Sequence, residues 1–128
     1  MSRASLADTS LFVAIEQDRP LRAAPPASIA VSMITVGELR LGVLMAPDNA
    51  VRALRLRTLT RALSFDPLPV DDSVASAWAE LRAALRFAGR KMPLNDSWIA
   101  ATAIAHQLPL ATQDDDYDDV PGLEVVKL

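Results

Sequence analysis

A chain of 128 residues without a single cysteine has the length of one domain and excludes disulfides, thiolate zinc sites, iron–sulfur clusters and a cysteine nucleophile. Its 13 basic and 16 acidic side chains leave a net charge of −3, which argues against a protein that coats nucleic acid by bulk positive charge. Apolar residues at 51% and charged residues at 23% make up a packed domain and not a disordered chain.

In the first stretch, Met1 to Glu16, Asp8 interrupts the apolar run and Glu16 ends it, so a signal peptide is not expected. No later run approaches the ~20 apolar residues that a membrane helix needs. The expectation is a cytoplasmic protein, without contact to a membrane, folded as a single domain over residues 1–128. Residues 5–8 predict a short strand and residues 10–17 a helix, which Pro20, Pro25 and Pro26 follow as a loop. Ile29 to Ser32 predicts a second strand. Val36, Leu39 and Val43 then recur at helical spacing over Thr35 to Met45. Residues 49–63 predict another helix, and Leu68 to Val70 an extended piece between prolines. Asp71 or Asp72 caps a helix with the apolar stripe Val74, Trp78, Leu81, Leu85 and Ala88. Asn95 caps a helix from Asp96 to His106 that is apolar nearly all round and therefore buried. Leu110 to Thr112 and Leu123 to Val126 are the last strands. Short apolar strands alternating with helices predict an α/β fold, a parallel sheet with helices on both faces. Its functional crevice would lie beyond the carboxyl ends of the strands.

Carboxylates occupy those positions. Asp8 ends the first strand, Glu38 lies early in the helix after the second, Asp96 starts a helix, and Asp114, Asp115 and Asp116 follow Thr112. Each has an ordinary alternative role: a helix cap for Asp8, an exposed helical site for Glu38, a dipole partner for Asp96, a solvated loop for the aspartate run. Two unit charges ~4 Å apart repel by about 4 kcal/mol at an effective dielectric near 20. Convergence therefore demands either raised pKa values or bound cations. Hard divalent ions such as Mg²⁺ or Mn²⁺ suit an all-oxygen donor set and would let an acidic site accept a polyanion. An EF-hand is disfavoured because its sixth-position glycine and twelfth-position glutamate are missing.

Five segments carry a family resemblance: Leu6-Ala7-Asp8-Thr9-Ser10, the run from Ile34 to Val43 containing Gly37-Glu38-Leu39, Leu68-Pro69-Val70-Asp71, Asn95-Asp96-Ser97-Trp98 and its continuation to Ala103, and Thr112-Gln113-Asp114-Asp115-Asp116-Tyr117. In this order the chain resembles PIN-domain ribonucleases, specifically the VapC-type toxins of bacterial toxin–antitoxin pairs. The resemblance implies a PIN-like three-layer fold with a short, mostly parallel central sheet flanked by helices. It also implies a metal-dependent endoribonuclease that hydrolyses phosphodiester bonds in structured RNA such as tRNA or rRNA loops. Carried over by position, Asp8, Glu38, Asp96 and Asp114 form the acidic quartet for Mg²⁺ or Mn²⁺, with Asp116 as a fifth acid. Ser10 or Thr9 supplies the hydroxyl that supports the first aspartate. The implied partners are a second copy of the chain and a cognate antitoxin whose C-terminal segment covers the active-site groove. The three consecutive aspartates depart from the wider spacing common in relatives, so the assignment among Asp114, Asp115 and Asp116 stays open by one residue.

Nine of the 13 bases lie between Arg40 and Lys91. Arg82, Arg86 and Arg90 recur every four residues, as for one helix face that meets RNA phosphates, or simply water. Trp78 and Trp98 read as packing residues, Tyr117 as a residue that contacts substrate, and His106 as a helix C-terminal residue. A mean hydropathy of +0.19 predicts apolar surface that meets another chain. Two other functions fit parts of the pattern: a phosphoacceptor receiver domain, whose required late lysine could only be Lys127, and a catalytically silent PIN-fold module that acts through a protein partner.

Overall fold

The computed structural model describes residues 4–128. Four three-residue strands, β1 (Ser5–Ala7), β2 (Ile29–Val31), β3 (Leu110–Thr112) and β4 (Val125–Lys127), form one sheet in the order β2-β1-β3-β4. Every neighbouring pair is parallel, in the register Leu6 to Ala30, Leu6 to Leu110 and Thr112 to Lys127. The helices are α1 (Thr9–Glu16), α2 (Met33–Leu44), α3 (Asn49–Leu63), α4 (Asp72–Phe87) and α5 (Leu94–Ala105), and a 3₁₀ turn spans Asp115–Tyr117.

Side chains alternate across a strand, and here the alternation divides the interior in two. Ala7, Val31 and Ala111 face a core with Leu11, Phe12, Val36, Leu39 and Leu59 from α1, α2 and α3. Leu6 and Leu110 face the opposite core, with Leu81 and Leu85 of α4, Ile99, Ala100 and Ala103 of α5, and Tyr117. Helix, sheet and helix are thus the three layers. Trp78 and Trp98 stack with centroids 4.2 Å apart and join α4 to α5, which is the packing role expected of them.

Several boundaries move. Ser32 ends its strand and caps α2 through its hydroxyl, so this helix begins at Met33, earlier than the apolar spacing suggested. Asp71 caps α4 by accepting from the Val74 amide at 3.0 Å. Asn95 does not cap α5, which starts after Pro93 without a side-chain cap. The last strand is shifted to Val125–Lys127, after the turn at Gly122. Leu68 makes a single bridge to Ser32 beside β2. Gly89, at φ +67°, ends α4 with bonds from Gly89 N to Arg86 O and from Arg90 N to Leu85 O, the left-handed glycine stop of a helix. Arg90 therefore lies beyond the helix and not on a face shared with Arg82 and Arg86.

Candidate active site

The chain leaving β1 and the chain leaving β3 run side by side, and each carries a carboxylate. Asp8 caps α1 and is only 2% exposed. Its oxygens accept from Ser10 Oγ at 2.8 and 3.0 Å, Thr112 Oγ1 at 2.7 Å and the Leu11 amide at 3.2 Å. Burial still pushes its carboxyl above the usual carboxylate range. These bonds pull it down and Asp114 adds to the rise. The Thr112 hydroxyl also accepts from the Asp114 amide at 2.8 Å, so one side chain fixes both aspartates. Asp114 in turn accepts from the Asp116 amide at 2.9 Å and caps the 3₁₀ turn.

Asp96, in the first turn of α5, meets this pair from the other layer. One oxygen each of Asp96, Asp114 and Asp116 lie within 4.8 Å of one another. Burial first, then the charges of Asp114 and Asp116, raise the Asp96 carboxyl to about 7, while a bond from Tyr117 opposes the rise. Glu38, on α2, accepts from Thr9 Oγ1 at 2.6 Å and from Asn95 Nδ2 at 3.5 Å. The Tyr117 hydroxyl is pushed up by burial and by the charges of Asp8, Asp96 and Glu38. All four segments therefore converge on one place.

The supporting residues differ from the expectation in specific ways. Ser10 holds Asp8, whereas Thr9 turns to Glu38 and Thr35. Tyr117 is 0% exposed and donates to Asp96 Oδ1 at 3.1 Å; it is a buried orienting group and not a contact for substrate. Its ring belongs to the apolar core, which the neighbouring aspartates concealed in the sequence. Arg90 donates to the carbonyls of Asp118 and, at 2.7 Å, Asp119, so its guanidinium braces the acidic loop. Thr112 and Asn95 were missed as site residues. Both lie two residues or fewer from a motif aspartate. The Arg55 side chain passes Gly42 and donates to its carbonyl oxygen at 2.7 Å.

The family profile of the PIN domain matches residues 6–123. The chain belongs to the PIN domain family. Among relatives of this PIN domain, Ribonuclease VapC4 of Mycobacterium tuberculosis is 48% identical over 128 residues, 98% of each chain. Ribonuclease VapC5 of the same organism is 44% identical over 126 residues, 98% of this chain and 93% of its own. A crystal structure of a member of the VapBC family of toxin–antitoxin systems, VapBC-5 from M. tuberculosis, superposes with a TM-score of 0.88 at 40% identity, covering 99% of this chain and 100% of that one.

The donor set of this PIN domain fits a hard divalent cation. It consists of carboxylate oxygens without nitrogen or sulfur, and it gathers negative charge that a cation relieves. The Thr112 hydroxyl is the hinge of that arrangement. Thr112→Val, close in volume, is expected to weaken Mn²⁺ binding about 10–100-fold, as loss of a group that orients ligands does. A calorimetric Mn²⁺ titration measures this; unchanged affinity would show that Ser10 and the Leu11 amide hold Asp8 unaided.

Proposed function

We propose that this chain is a metal-dependent endoribonuclease, the toxin of a toxin–antitoxin pair, that hydrolyses phosphodiester bonds in structured RNA such as tRNA or rRNA loops. The observation that carries the reading is the convergence of Asp96, Asp114 and Asp116 within 4.8 Å, beside buried Asp8 and half-buried Glu38, in a PIN domain 48% identical to a protein named as a ribonuclease. In this reading Asp8, Glu38, Asp96, Asp114 and Asp116 hold Mg²⁺, with Mn²⁺ as a substitute. Bound there, the ion supplies positive charge at the scissile phosphate and lets an acidic site receive a polyanion.

The protein's own contribution is position. Ser10, Thr112 and the Leu11 amide fix Asp8, Thr9 and Asn95 fix Glu38, and Tyr117 fixes Asp96. Few of these carboxylates need to reorder when a ligand arrives. Arg82, Arg86 and Lys91 line a cleft of about 420 Å³ with Gly89 and Met92, a short step along the chain from Asp96. They are the RNA backbone contacts of this reading, with Arg90 a part of the wall. Arg82 serves also by lying 5.9 Å over the Trp78 ring.

Known VapBC structures support a partner. A groove of about 210 Å³ lined by Thr9, Val13, Glu38, Leu39 and Arg55 adjoins the acids. Leu44, at the end of α2, and Met45, just beyond it, stand 68% and 71% exposed. An antitoxin segment laid across this groove would cover both. Phe87, 91% exposed on α4, supplies apolar surface for a second copy of the chain. Among the described residues no helix is long and apolar enough to cross a membrane. Lys127 holds Asp115 and Asp118, so the one late lysine is not turned to Asp8 as phosphoacceptor chemistry would need.

The test is incubation of purified, antitoxin-free protein with total cellular RNA in Mg²⁺, Mn²⁺ or EDTA. Discrete fragments are expected with either metal and none with EDTA. Fragments that persist in EDTA, or none with Mn²⁺ across all cellular RNA, would overturn the reading and leave a module that acts by binding.

A further inference from the structure

Residues 114–119 hold five aspartates around Tyr117, and only Asp114 and Asp116 join the cluster with Asp96. Something sorts five like charges into those that face the site and those that do not. The 3₁₀ turn supplies half of the answer, because side chains three apart share a side. Asp114 and Tyr117 fall on the side of Asp96, while Asp115 and Asp118 fall together elsewhere. The other half is Lys127. Its Nζ donates to Asp115 Oδ1 at 2.5 Å and to Asp118 Oδ1 at 2.8 Å. Strand β4 places it there: Lys127 pairs in register with Thr112, the residue that holds both Asp8 and Asp114. Arg90 fixes the far end of the same loop through the carbonyls of Asp118 and Asp119, the latter in the left-handed region at φ +57°.

We infer that Lys127 is a positioning residue: by drawing Asp115 and Asp118 outward it commits Asp114 and Asp116 to the metal site. The inference rests on the metal reading above. Simple stabilisation is a poor account of this lysine, because Asp115 and Asp118 are 82% and 51% exposed and such pairs contribute little. Plain electrostatics makes the opposite forecast. Removing a positive charge beside a cation site should tighten cation binding. Positioning forecasts that it weakens, because the freed Asp115 and Asp118 repel and displace the carboxylates that bind.

The experiment is a Mn²⁺ titration of the full chain by calorimetry, with amide hydrogen exchange at Asp116, whose N–H rests on Asp114 Oδ1. Lys127→Met is expected to weaken Mn²⁺ about tenfold and to speed exchange at Asp116. Lys127→Arg is expected to retain affinity. Adding Asp115→Asn and Asp118→Asn to Lys127→Met is expected to recover it, since no stray charge then remains. Equal or tighter binding by Lys127→Met, or failure of the triple variant to recover, overturns the inference. Should the parent chain bind no Mn²⁺, the metal reading is what fails. Exchange at Asp116 then decides whether Lys127 positions the loop, unchanged exchange in Lys127→Met overturning it.

Discussion

Asp96→Asn is expected to cut RNA cleavage by about 10²–10³-fold, the scale on which a single charge-handling group acts in a preorganised site, while raising the stability of the metal-free protein. The two effects share a cause. Asp96 is raised from 3.8 to about 7 in the folded state, chiefly by burial and then by Asp114 and Asp116. Between those values the folded chain holds a proton that the unfolded chain has released. Stability therefore falls as pH rises through this window and levels off above about 7. Asparagine keeps the shape and removes the charge. Discounted for the solvent that Asp96 still meets, the gain at pH 8 is about 1–2 kcal/mol, roughly 4–8 °C in melting temperature. At pH 4 the gain disappears. In the parent chain Mn²⁺ reverses the deficit, adding about 2.7 kcal/mol at a hundred times its dissociation constant, and the variant loses most of this. Thermal melts at two pH values, with and without Mn²⁺, measure the whole pattern. A variant less stable than its parent at pH 8 would mean that Asp96 is held by contacts and not strained by charge.

Tyr117 separates packing from chemistry within one side chain. It is the largest fully buried side chain among the described residues and lies against Leu6, Leu110 and Ile99. Tyr117→Ala is expected to cost about 3–5 kcal/mol, a large part of the stability of a domain this size, as read by urea denaturation. Tyr117→Phe keeps the ring and deletes the donor on Asp96. Because that bond lowers the Asp96 carboxyl, its loss raises it further. The pH at which Mn²⁺ binding reaches half its plateau is then expected to move upward, with little change in the plateau. An unmoved midpoint would show that the phenol does not set the proton affinity of Asp96.

Patterns of charge and periodicity made much of this legible. Residues 49–63 are helical and Leu110–Thr112 is a strand, as the sequence predicts. The four acid-bearing segments were placed by one rule, that crevices open at the carboxyl ends of parallel strands. Caps proved harder. Ser32 and Asn95 are both favoured N-cap residues, yet Ser32 caps α2 while Asn95 reaches 57 residues back to Glu38, a choice made by tertiary structure. Tyr117 was misread for the same reason: its neighbours are polar, but the 3₁₀ turn rotates its ring into the core. Arg90 looked like a third helical arginine until Gly89 turned the chain. What local spacing cannot convey is which hydroxyl reaches across the sheet, as Thr112 does to Asp8 over 104 positions.

The strand order has a consequence for synthesis. β1 is made about a hundred residues before its neighbour β3 and the edge strand β4. Asp8 acquires its Thr112 bond, and the aspartate loop its Lys127 restraint, only when translation has passed Lys127. Helices and local contacts fold early, whereas a pairing of such separation waits for the whole intervening chain. A nascent or prematurely terminated chain thus carries Asp8 and Glu38 but no assembled centre. Until Thr112 and Lys127 have been added, Asp8 and the aspartate loop stand without the groups that hold them in place.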